Sequence, residues 1–142
     1  MARKLHPAPL GVSPELVKVC FRFQINGTSD PDNILPAACM VSNVTRTSAG
    51  LFSITFIEKF PVCIGFTGSV LESTQAHDLI VKSSAGAYSA TTGITTVTVV
   101  GADGSTAAED PADNDWVYCE FLFCRRNDLA PSGALPVASS SI

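Results

Sequence analysis

Charge is scarce in this chain. Asp, Glu, Lys and Arg make up 15% of its 142 residues, where soluble domains average roughly a quarter. A protein alone in water normally carries more surface charge. Either much of the surface meets other protein, or Ser and Thr hydroxyls supply the polar face. The net charge of -4 and pI near 4.9 argue against a nucleic-acid surface, which needs clustered Lys and Arg. The pairs Arg3-Lys4 and Arg125-Arg126 are too short to form such a patch.

Histidine is scarcer still, with only His6 and His77. Cys20, Cys39, Cys63, Cys119 and Cys124 are odd in number, widely spaced and without a CxxC. A disulfide framework and a zinc site are therefore not expected, and the cysteines read as reduced, small core residues. No segment approaches the ~18 consecutive apolar residues that would span a bilayer. Met1 to Pro7 has a basic start but no apolar run behind it, so the expected chain is made in a cytoplasm and not exported by a secretory route. On that expectation the sequons Asn26-Gly27-Thr28 and Asn43-Val44-Thr45 occur by chance. A phosphate-cradling glycine loop, a nucleophile elbow and a dinucleotide fingerprint are all missing.

Alternation is plentiful. From Val17 to Ile25, Val17, Val19, Phe21, Phe23 and Ile25 fall on one parity and Lys18, Cys20, Arg22 and Gln24 on the other. Side chains of a strand point to alternate faces, so this is a half-buried strand that seeds a core. The same logic predicts strands over 39–47, over 51–58 with Phe52, Ile54 and Phe56 inward, and over 62–71 with Val62, Ile64 and Phe66 inward. Further strands are predicted around Leu79-Ile80-Val81, over the β-branched run 94–100, and over 116–125 with Val117, Cys119, Phe121 and Phe123 on one face. Ser48-Ala49-Gly50 should close a hairpin, and Gly65 and Gly68 mark a bulge or a close backbone approach. Ala107 to Asp110 is long enough for one helical turn. About seven strands and no amphipathic helix predict an all-β fold: a single β-sandwich, jelly-roll-like or immunoglobulin-like, over residues 17–127. Residues 1–16 and 128–142, broken by Pro7, Pro9, Pro14, Pro131 and Pro136, read as N- and C-terminal arms. Such arms either grip a neighbouring subunit or fold back on their own domain.

Chemistry is hard to place on these residues. The acidic segment Glu109 to Asp115 lacks the ligand alternation and central glycine of a calcium loop, and reads as solvated loop acids. Asp30 and Asp32 read as turn residues. His77 beside Asp78 has no nucleophile or orienting partner in sight. Trp116 and Tyr118 share a face with Leu122, as a buried aromatic cluster or, less simply, a sugar platform with Tyr88. Arg22 faces solvent or acids on a neighbour. No catalytic, cofactor-binding or metal-binding residue is assigned, and the chain reads as a non-enzyme without a cofactor.

Three stretches carry a resemblance. They are Phe23-Gln24-Ile25-Asn26-Gly27-Thr28-Ser29-Asp30-Pro31; Val44 through Phe56 with Lys59-Phe60-Pro61; and Asp113-Asn114-Asp115-Trp116-Val117 running through Phe121-Leu122-Phe123 to Arg125-Arg126-Asn127. Together, over residues 17–127, they resemble small structural proteins of tailed bacteriophages that decorate or cement the head shell. The resemblance implies an all-β domain on the capsid surface, made in the host cytoplasm, often a homotrimer, that clamps neighbouring copies of the major capsid protein. It carries over no catalytic residues; that no nucleic-acid or membrane partner is expected follows instead from the charge and the lack of a long apolar run. Five cysteines and a long tail after Leu129 depart from the pattern. A tail-fibre or receptor- and glycan-binding β-module is the alternative.

Overall fold

The computed structural model describes residues 15–74, 78–84, 86–102 and 107–126. Its strands are β1 (Leu16–Gln24), β2 (Ile34–Leu35), β3 (Val41–Ser48), β4 (Leu51–Phe56), β5 (Val62–Leu71), β6 (Leu79–Lys82), β7 (Ile94–Gly101) and β8 (Trp116–Cys124). They form two four-stranded antiparallel sheets, ordered β2-β1-β8-β5 and β3-β4-β7-β6. The apolar faces of the two sheets meet, as a β-sandwich requires. Most of the two arms, together with His6 and His77, lies outside the described residues.

The alternation of the sequence becomes the core directly. Val19, Phe21 and Phe23 of β1 and Val117, Cys119, Phe121 and Phe123 of β8 bury their side chains against Phe52, Ile54 and Phe56 of β4 and Val97 and Val99 of β7. Seven of the eight phenylalanines are buried, and Phe66 packs at the margin. Phe60, in the β4–β5 connection, stacks on Phe123 with ring centroids 4.3 Å apart, and Phe56 meets Phe123 edge-on at 4.8 Å. Each such pair adds about 0.5–1.5 kcal/mol beyond the area it buries.

Two positions depend on glycine. Gly50 closes the β3–β4 hairpin at φ +67°, and a Cβ there would lie 2.5 Å from the Glu109 amide nitrogen. Gly68 lets the sheets approach, because a Cβ would sit 2.7 Å from the Phe66 ring and 3.0 Å from Val81. The predicted bulge is also present, at Cys63/Gly65 of β5.

Several expectations need correction. Among the described residues the strands number eight rather than about seven, because β2 adds a two-residue rung beside β1 that no alternation announces. Ile64 is not inward: it is the extra residue of the bulge and is 49% exposed. Residues 107–110 form no helical turn; Ala108 bridges Val100 and the Glu109 amide donates to the Val99 carbonyl at 2.9 Å. The five cysteines are free, but only Cys119 and Cys124 are core residues, whereas Cys20, Cys39 and Cys63 are half-buried.

Candidate interaction face

The acids read as solvated are mostly tied down. Asp110 accepts from Arg46 at 2.6 and 3.1 Å and from the Gly50 amide at 2.8 Å. Its partial burial acts to raise its pKa, but the hydrogen bonds from Arg46 and Gly50 and the guanidinium charge outweigh this and hold the carboxyl below its ordinary value. Asp115 is buried and accepts from the Ser73 amide and hydroxyl and from the Ala112 amide. Asp113 accepts from the Gly27 amide at 3.0 Å, and Asp30 from the Arg46 amide at 2.7 Å. These carboxylates staple loops at one end of the sandwich. Among the described residues, no three His, Cys, Asp or Glu side chains come together as a metal would need.

What the sandwich presents outward is the far face of the β2-β1-β8-β5 sheet. Alternation sends Lys18, Cys20, Arg22 and Gln24 of β1 to this face, opposite Leu122, Glu120, Tyr118 and Trp116 of β8. Leu35 flanks Arg22 on one side, and Leu71 flanks Trp116 on the other. Trp116 and Tyr118 are thus not a buried cluster. They are half-buried on an open sheet face, with the Arg22 guanidinium 4.3 Å over the centre of the Trp116 ring. Glu120 collects the Tyr118 hydroxyl at 3.0 Å, the Cys20 thiol at 3.7 Å and the Lys18 ammonium at 3.8 Å. The Cys20 thiol and the Glu120 carboxylate, with some burial, push the Tyr118 phenol above its ordinary pKa, so it stays a neutral donor.

A shallow hollow of about 390 Å³ opens on this face, lined by Cys20, Phe21, Arg22, Leu35, Pro36 and Tyr118. The Leu35–Pro36 peptide beside it is cis. Leu35 and Leu71, 39% and 55% exposed, bracket the band as its bare apolar ends. The side chains between them are held by one another, so binding on this face would order little that is not already ordered.

A second hollow of about 380 Å³ lies between the β5 edge and the other sheet, lined by Cys63, Ile64, Gly65, Phe66, Ser83, Ser84, Tyr88 and Thr95. Tyr88 is committed there: its hydroxyl donates to the Phe60 carbonyl at 2.8 Å and its ring packs against Phe56 and Phe123. Burial, opposed by that hydrogen bond, raises its phenol pKa. Arg22 over Trp116 and the inward commitment of Tyr88 both occupy ring faces that a sugar would stack on.

The sequence put Trp116 and Tyr118 on one face of their strand and Arg22 on the polar face of another, but gave no sign that the two faces adjoin. Nothing in it marked Leu35, Pro36 or Leu71, whose place on the band follows from pairing of strands distant in the chain. No protein-family model, no curated protein and no solved structure matches this chain.

Proposed function

We propose that this protein is a structural component of a virion: a decoration or cement subunit of a tailed-phage head that sits on the outer shell and ties neighbouring copies of the major capsid protein together. The observation that carries the proposal is the open face of the β2-β1-β8-β5 sheet. Its bare Leu35 and Leu71 frame a band of Arg22, Trp116, Tyr118 and Glu120 whose charges and rings already hold one another. A broad, pre-ordered face with an apolar-aromatic band suits a wide protein surface better than a small substrate. The low charge of the chain fits a subunit with neighbours on more than one side, and repetition over a lattice turns modest contacts into tight attachment.

The test is to purify particles from a lysate of the phage that encodes the chain and measure its copy number against the major capsid protein. Heads carrying many copies are expected, and heads bearing a Leu35→Asp, Leu71→Asp double variant should lose most of them. Particles free of the chain, or a variant that decorates as fully as the wild type, would sink the proposal.

A further inference from the structure

A sheet edge exposes a row of unpaired backbone donors and acceptors, and proteins normally blunt such edges with brevity, charge, proline or irregularity. Three of the four edges here are treated in that way. β2 is two residues long and runs into Pro36. β3 carries Arg46 and two register shifts. β6 is four residues long and ends on Lys82. β5 has none of these protections along most of its length. It runs ten residues with no charged side chain and no proline, and its one bulge, at Cys63/Gly65, leaves Gly65–Leu71 regular.

Among the described residues no strand lies beyond β5 in its sheet. β6 passes beneath β5 and not alongside it, since Val81 meets the inward position of Gly68. The chain's own ends make poor added strands, because Pro7, Pro9, Pro14, Pro131 and Pro136 would each remove a ladder donor.

We infer that β5 pairs with β5 of a second copy, antiparallel across a two-fold axis, joining two β2-β1-β8-β5 sheets into one continuous eight-stranded sheet. Such an interface is self-complementary and closes at two copies. An axis through Gly68 sets Thr67 of one copy opposite Ser69 of the other and Leu71 opposite Gly65. A side chain at Gly65 would meet open space, so the 55%-exposed Leu71 of the partner has room to lie there. Strands without charge meet here without repulsion. The inference stands on the edge and does not depend on the shell proposal; it gives two copies where the resemblance implies three.

The full chain is tested by light scattering across a dilution series. A mass of two copies, falling to one on dilution, is expected. Thr67 and Ser69 are exposed and point away from the core, so a Thr67→Lys, Ser69→Lys variant should keep its circular dichroism. Its dissociation constant should rise about tenfold or more from like charges placed opposite each other. Mixing that variant with a Thr67→Glu, Ser69→Glu variant should restore a two-copy species. A wild type that stays monomeric at every concentration, a three-copy mass, or a lysine variant that dimerises as tightly as the wild type would each overturn the inference.

Discussion

The guanidinium of Arg46 and the carboxylate of Asp110, 64 residues apart in the chain, meet at 2.6 Å, and the same carboxylate holds the Gly50 amide. One side chain thus fastens the β3–β4 turn to the loop that leads into β8. Replacing Asp110 with Ala strips two partners of their acceptor, and the protein should lose about 2 kcal/mol of stability in urea unfolding. A loss under about 0.5 kcal/mol would mean that water replaces the carboxylate at little cost.

The same carboxylate gives a pH signature. Its folded pKa lies below its ordinary value, so its stabilisation is complete above the unfolded carboxylate pKa of about 4 and is lost as pH falls through the lower folded value. Wild type and an Asp110→Asn variant should therefore differ most near neutrality and converge in acid. Unfolding midpoints measured from pH 7 down to pH 2 check this, and curves that stay parallel would refute it.

Gly50→Ala should be among the most damaging small substitutions. It places a Cβ at φ +67° and 2.5 Å from the Glu109 nitrogen, with backbone atoms and not a flexible side chain in the way. The left-handed backbone and the collision together should cost about 3 kcal/mol. Gly27→Ala, also at positive φ but with open space around it, should cost only about 1 kcal/mol. The difference between the two unfolding free energies isolates the collision.

Trp116 is the single tryptophan, so its fluorescence reports on Arg22 directly. An Arg22→Ala variant uncovers one ring face and should change the emission maximum while costing only about 0.5–1 kcal/mol of stability. An unaltered spectrum would show that the guanidinium does not rest on the ring in solution.

Thiol labelling of the native protein should follow burial. Burial pushes the Cys119 thiol well above its ordinary pKa and, against a hydrogen bond to the Gly65 carbonyl, raises that of Cys63. Thiolate is the reactive form. Mass-resolved labelling should mark Cys20 and Cys39 first, Cys63 more slowly, and Cys119 and Cys124 only after unfolding.

What could be read from the chain followed the range of each cause. Alternation in β1, β4 and β8 is local and strong, so their inward faces were legible residue by residue, whereas the β-branched run of β7 announced a strand but not its inward face. Ile64 was placed on the wrong face because one bulge inverts parity, and the neighbouring Gly65 hinted only that a bulge was near. β2 owes its rung to Gln24 and Asn33, which join by a backbone bond of 3.0 Å and a side-chain bond of 2.7 Å; two residues carry no periodicity. Asp110 and Asp115 looked like solvated acids because their partners, Arg46 and Ser73, lie far away in sequence. The outward band escaped for the same reason: Leu35, Arg22, Trp116 and Leu71 sit on four separate strands.

The rung that joins Leu16 to Cys124, extended by the Arg125 amide donating to the Glu15 carbonyl at 2.8 Å, brings both ends of the body to a single point. A tether attached to residues 15 and 125 would pull that ladder open like a zipper, one rung at a time and beginning with this pair. Force applied there meets the rungs singly, whereas force spread over the flat of the sheet would have to shear whole strands at once.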